Sequence, residues 1–227
     1  MKKIFFATIC MFCLKAYSQN DWANLKRYAK ENASLGTPAI GEKRVVFMGN
    51  SITEGWIKSD SAFFAGRPYI DRGISGQTTS QMLLRFRQDV IELKPAAVVL
   101  LAGINDIAEN TGPITLEAIF GNIVSMIQLA QANKIKVVLC SVLPANRFPW
   151  RPSILPAEKV IALNSMLKTY ATQNKIVYVD YYSAMVDEEK GLPKKYAGDG
   201  IHPTLEGYKV MEELVEKKIK KVLKKKG

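Results

Sequence analysis

A few side chains in this sequence have the types and placing that acyl-transfer chemistry requires. Ser51 sits in Gly49-Asn50-Ser51, at the end of an apolar run, and His202, the only histidine, sits in Asp199-Gly200-Ile201-His202-Pro203. Ester cleavage through a serine needs a base to take its proton, an acid to orient that base, and donors to hold the oxyanion. Any Ser-His mechanism must therefore use His202. Asp199, three residues earlier, can fold back on the ring nitrogen that does not face the serine. The same residues also read as an ordinary helix cap after a strand, a turn aspartate and a surface histidine. Gly73 and Asn105 add to the catalytic side. Gly73, at the end of Pro68 to Gly73, lets a backbone N–H approach a ligand with no Cβ in the way, and Asn105 in Gly-Ile-Asn-Asp offers an amide donor. Each alone is also a loop glycine or an Asn bonding its own turn.

These residues need a scaffold that brings them to one edge. Five apolar runs rich in β-branched residues recur, at 44–49, 68–73, 96–103, 136–142 and 176–180. Between and after them, helical spacing predicts helices over Gln81 to Leu93, Ile114 to Ala132, Glu158 to Ala171 and from Thr204 onward. Continuous apolar strands alternating with amphipathic helices predict a parallel sheet covered on both faces, hence a three-layer α/β/α fold with a five-stranded parallel sheet. Ligands in such sheets lie beyond the carboxyl ends of the strands, where Ser51, Gly73, Asn105 and the Asp199-His202 segment all fall. Asp21 to Asn32 is expected to form a leading helix outside the sheet.

With these blocks in place the sequence resembles a known family. GNSIT, GISGQTT, GIND and DGIHP occur in order as in the SGNH or GDSL-type hydrolases, and the resemblance runs from the first strand to the start of the last helix. It implies a flavodoxin-like SGNH hydrolase fold with Ser51 as nucleophile, His202 as base and Asp199 as its orienting acid. It also implies an oxyanion hole of Gly73, Asn105 and the Ser51 backbone N–H. One departure stands at Asn50, where the family usually has Asp. The G-x-S-x-G elbow of the α/β-hydrolases is absent, which argues against that other serine-hydrolase fold.

For the substrate, Trp56, Arg147, Phe148, Trp150 and Arg151 lie near the proposed site in the sequence, the last four in the loop LPANRFPWRP. Aromatics beside arginine suit a sugar ring, so Trp56, Arg147 and Trp150 are expected to bind substrate, and a short, acetyl-type ester of a carbohydrate is expected to be cleaved. Trp150 equally reads as a loop aromatic folded onto the core. The alternatives are a lysophospholipase or other lipid acylhydrolase, and a non-catalytic glycan-binding protein on the same fold. No cofactor and no metal are expected, since a single histidine and no clustered ligands leave no metal-binding spacing.

The ends of the chain carry further expectations. Residues 1–18 place Lys2 and Lys3 before an apolar run and a small-x-small step at Ala16-Tyr17-Ser18, which reads as a signal peptide cut near Ser18, leaving one hydrolase domain over 19–227. The run is shorter than a spanning helix requires, and no transmembrane segment is expected. The net charge of +11 becomes 11 − 3 = +8 once Lys2, Lys3 and Lys15 are removed, and seven lysines crowd the last eleven residues. That tail reads as a solvated helix end, its lysines suited to the negative end of the helix dipole, rather than as a contact for anionic lipid, polyanionic glycan or nucleic acid. Cys140, in VVLCSV, reads as a buried core residue.

Overall fold

A computed structural model describes residues 21–224. The signal-peptide reading of residues 1–18 lies outside them. The described chain runs α1 (Ala29–Leu35), β1 (Val45–Gly49), α2 (Ser51–Ser59), α3 (Ser61–Phe64), β2 (Tyr69–Gly73), α4 (Thr79–Asp89), β3 (Ala97–Leu100), α5 (Ile104–Ile107), α6 (Leu116–Ala132), β4 (Lys136–Cys140), α7 (Ala157–Gln173), β5 (Val177–Val179), α8 (Tyr181–Met185) and α9 (Leu205–Lys224). A 3₁₀ turn at Ile91–Leu93 follows α4.

The five strands are parallel, in the order β2-β1-β3-β4-β5. Every residue of β1 and β3 is buried, which is why both read as unbroken apolar runs. Helices α4, α6 and α7 pack in a row on one face, and α2 and α9 cover the other. The chain leaves β1 toward β2 on one side and returns past β1 to form β3 on the other. The carboxyl ends of β1 and β3 therefore flank the crevice where the strand order reverses, the usual ligand site of such sheets. Cys140 is buried at the end of β4, and burial pushes its thiol up to about 12, so it is an inert core group.

Two expectations change. Residues 21–28 are turns, and helix α1 begins only at Ala29. The Asp21 carboxylate takes the Leu25 and Lys26 N–H groups at 2.7 and 2.9 Å. Side-chain amides of Gln81, Gln77 and Gln88 bond the carbonyls of Trp22, Ala23 and Leu25. Those bonds satisfy the backbone without a helix and fasten the segment across α4.

The second change concerns Trp56, which is 1% exposed and touches no open surface. It stacks between Phe63 and Tyr208, with ring centroids 5.4 Å away on each side, and its indole N–H donates to Glu212 at 3.0 Å. The spacing that brought Trp56 near Ser51 in sequence turns it one face inward along α2. It joins α2 to α9 as a core residue and is not a substrate contact. A Trp→Ala change in such a site costs about 3–5 kcal/mol.

Candidate active site

Ser51 is the first residue of α2. The helix starts there because Asn50 caps it, its side-chain oxygen accepting from Ile52 N–H at 3.1 Å, and Glu54 stands in the first turn beside the positive end of the dipole. Asn caps about as well as Asp, so the departure at position 50 preserves the turn. It places a neutral amide, itself buried, under the nucleophile. The first N–H groups of a helix have no partner within it, which leaves the Ser51 N–H directed outward beside its own hydroxyl.

His202 reaches this helix end from the segment before α9. Its Nε2 lies 3.0 Å from Ser51 Oγ, and its Nδ1 lies 2.7 Å from Asp199 Oδ2. Asp199 Oδ1 accepts the backbone N–H groups of Ile201 and His202 at 2.9 and 2.8 Å, so the carboxylate holds both the turn and the ring. Gly200 takes φ +83° between them, a conformation that favours glycine. Partial burial works against the Asp199 charge, but the bonds from the His202 ring and from the two N–H groups hold its carboxyl below the usual range. An ionised Asp199 takes the proton on Nδ1 and leaves a lone pair on Nε2, facing the serine. Pro203 stiffens the exit, and α9 opens one residue later than expected, with Thr204 accepting from Gly207 and Tyr208.

Gly73 does not supply an oxyanion donor. Its N–H already donates to Asp71 Oδ1 at 2.7 Å, and its carbonyl accepts from Tyr28. A Cβ there would meet Glu54 N at 2.1 Å and Asn50 O at 2.7 Å, so glycine at 73 lets α2 lie on the end of β2. The second glycine of GISG has the features Gly73 lacks. Gly76 is exposed, takes φ +77°, has open space on all sides, and its N–H has no acceptor among the described residues. The Asp-Arg-Gly order carried the clue, because an aspartate side chain can accept the backbone N–H two residues on.

Asn105 lies buried at the start of α5, and its amide nitrogen donates to Gln77 O at 2.9 Å. That contact uses one of its two protons and ties the Asn105 loop to the Gly76 loop. Next to it, Asp106 accepts from the Thr79 N–H and hydroxyl at the start of α4. The sequence reading also missed Glu54 and Ser75. One turn after Ser51, the Glu54 carboxylate accepts both the N–H and the hydroxyl of Ser75, the neighbour of Gly76, and also pairs with Arg27 at 3.3 Å. The nucleophile helix and the Gly76 loop are thereby joined by one side chain.

Trp150 and Arg147 stand on the His202 side. Trp150 is 45% exposed, its ring centroid 6.4 Å from that of His202, and it rests on the buried Phe148 at 5.3 Å. Arg147 is exposed, and its Nε lies 3.9 Å from the point where a Cβ on Gly200 would sit.

Comparison with known proteins agrees with this architecture. Residues 47–210 match the model of the GDSL-like lipase/acylhydrolase family. A Bacteroides fragilis protein assigned as an acylhydrolase superposes with a TM-score of 0.89 at 57% identity, covering 91% of this chain and all of that one (100%). A GDSL-like lipase of Bacteroides thetaiotaomicron gives 0.86 at 57% identity, over 88% and 98% of the two chains. Esterase TesA of Pseudomonas aeruginosa is 29% identical over 171 residues, spanning 73% of this chain and 78% of that protein. The chain thus belongs to the GDSL-like lipase/acylhydrolase family of carboxylic ester hydrolases, on the five-stranded SGNH fold.

Proposed function

We propose that this chain is a serine esterase that removes short acyl groups, acetyl foremost, from a carbohydrate. The reading is carried by the unbroken line of contacts from Ser51 Oγ to His202 Nε2 at 3.0 Å and from His202 Nδ1 to Asp199 Oδ2 at 2.7 Å. His202 takes the serine proton as Ser51 attacks the ester carbonyl. The oxyanion that forms is held by the Ser51 N–H, the Gly76 N–H and the second proton of the Asn105 amide. His202 then protonates the departing alcohol, and water attacks the acyl-enzyme with His202 again as base. Asp199 fixes the tautomer throughout and stabilises the imidazolium.

The short-acyl, sugar part of the reading rests on the surroundings. The His202 and Asp199 side chains are 44% and 45% exposed, so the site is open to water and offers a long acyl chain little shelter. Trp150 presents a half-exposed aromatic face beside the base, a surface on which a pyranose ring stacks. Beside Gly76 lies a cavity of about 380 Å³ lined by Asp21, Asn24, Gln77, Gln81 and Thr111 together with the exposed Trp22, whose ring offers a second aromatic face. Among the described residues no helix is long and apolar enough to cross a membrane. Export through residues 1–18 would bring the protein to extracytoplasmic glycans.

The test is hydrolysis of p-nitrophenyl esters from acetyl to decanoyl and of acetylated xylo-oligosaccharides, by wild type and Ser51→Ala. Acetyl should be the preferred acyl group, the rate should fall about tenfold or more by octanoyl, and Ser51→Ala should stay at background. Rates that climb with chain length would contradict the short-acyl reading, and an active Ser51→Ala would contradict the nucleophile.

A further inference from the structure

We infer that Arg147 recognises a carboxylate on the substrate, so that the ester cleaved is carried by an acidic glycan. The inference rests on the proposed esterase reading and adds the charge of the substrate to it. Its starting point is a cation without a partner. Arg27, Arg44, Arg67, Arg72 and Arg85 all make ion pairs or hydrogen bonds. The side chains of Arg147, of Arg151 four residues on and of Arg87 in α4 make none with any described residue, and of these Arg147 lies beside the Asp199-His202 turn.

Arg147 lies against Gly200, next to Asp199 in the chain, yet the Asp199 carboxylate bonds only the turn and the His202 ring and makes no ion pair with Arg147. One oxygen of Asp199 takes two backbone N–H groups and the other takes the His202 ring. The guanidinium therefore has no hydrogen-bond or ion-pair partner among the described residues.

The loop that carries Arg147 is anchored at both ends. Phe148 is fully buried, Arg151 N–H bonds the Phe148 carbonyl at 3.0 Å, and Asn146 donates to the Glu189 carbonyl at 3.2 Å. A Cβ on Gly191 would meet the Asn146 side-chain amide at 2.7 Å, so that side chain is held close against Gly191. A guanidinium on a fixed backbone has lost less freedom to lose again on binding, and its planar fork matches a carboxylate in two parallel hydrogen bonds. Trp150 lies between Arg147 and Arg151 in sequence and beside His202 in space. A sugar ring stacked on Trp150, its ester at Ser51, brings a ring carboxylate within the range of the Arg147 side chain.

The experiment compares acetate release from O-acetylated galacturonate oligosaccharides with release from the same oligosaccharides after methyl esterification of their carboxyls. Wild type, Arg147→Gln, Arg147→Lys and Ser51→Ala are measured at low ionic strength. The acid-to-neutral ratio of kcat/KM should be about tenfold for wild type, near one for Arg147→Gln, and intermediate for Arg147→Lys, with the change mainly in KM. Because the ratio compares two substrates on one preparation, partial misfolding of a variant cancels out. A wild-type ratio of one or below, or a ratio that survives Arg147→Gln, overturns the inference while leaving the esterase reading intact. Acetate release no faster from wild type than from Ser51→Ala on both substrates overturns the glycan-esterase reading itself, and the inference with it.

Discussion

Ser51 and His202 stand 3.0 Å apart, yet structures of opposite kinds hold them in place. The serine side is fixed from beneath by buried polar groups. Arg85, fully buried in α4, donates to Gly49 O, Arg72 O, Gln77 Oε1 and Asp89 Oδ2, tying the ends of β1 and β2 to the Gly76 loop. Glu54, Asn105 and Asp106 add ties between α2, α4, α5 and the same loop. The histidine side has one main support, Asp199, which lies on the surface with the ring it orients. The groups proposed to meet a developing charge are thus tied to buried side chains, while the proposed base sits on an open turn. Pre-organisation for the oxyanion and access for the substrate are kept in separate parts of the molecule.

The contrast predicts that the two sides fail differently. Asp199→Asn should lower kcat by roughly 10³–10⁴-fold. Its Oδ1 can still accept the two N–H groups, but its amide donates toward Nδ1, moves the ring proton to Nε2 and removes the base. Stability should change little, and urea unfolding beside kcat measures both. A large stability loss with kcat kept would reverse the assignment.

Arg85→Met should do the opposite. It leaves four acceptors without their donor and strands the Asp89 charge, a change expected to cost about 3–5 kcal/mol of unfolding free energy. Denaturant midpoints would register it, and a loss under about 1 kcal/mol would show that the network is not what fixes the serine side.

The smallest effect concerns pH. Burial pushes the Asp71 carboxyl up to about 7, against the Gly73 N–H bond that favours its charge, and its second oxygen has no hydrogen-bond partner. Since the unfolded chain has an Asp value near 3.9, the folded state keeps a proton that the unfolded state has lost between about pH 4 and 7. Stability therefore falls as pH rises through that window, and Asp106, pushed up to about 6 by burial, acts in the same direction. Asp71→Asn keeps an acceptor for Gly73 and should remove part of the slope, by up to about 1.4 kcal/mol per pH unit. Urea unfolding at pH 5 and pH 8 tests this, and identical slopes in both proteins would contradict it.

The same contrast explains what could be read in the sequence. The five strands and the helices α4, α6, α7 and α9 fall where periodicity placed them, because each is a local pattern repeated over several residues. Ser51, Asp199 and His202 were legible as candidates because His202 is the sole histidine, Asp199 lies three residues before it and Ser51 follows a strand end. The buried support was not legible. Arg85, Glu54 and Asp106 look in sequence like the solvated charges of helix faces, and only the folded chain shows which carbonyls and N–H groups they meet. Trp56 failed for the related reason that nearness in sequence to a helix N-terminus says nothing of the face on which a side chain leaves. Gly73 failed because Asp71 claims its N–H first, and Gly76, whose N–H has no acceptor among the described residues, is proposed in its place.

The central claim is that Ser51 is a nucleophile activated by His202. Its most direct test is to react the protein with a fluorophosphonate and locate the adduct by peptide mass spectrometry. The account predicts one adduct, on the peptide containing Ser51, formed rapidly in wild type and slowed by orders of magnitude in His202→Ala. An adduct on another residue, or labelling of Ser51 at the same rate without His202, would contradict it.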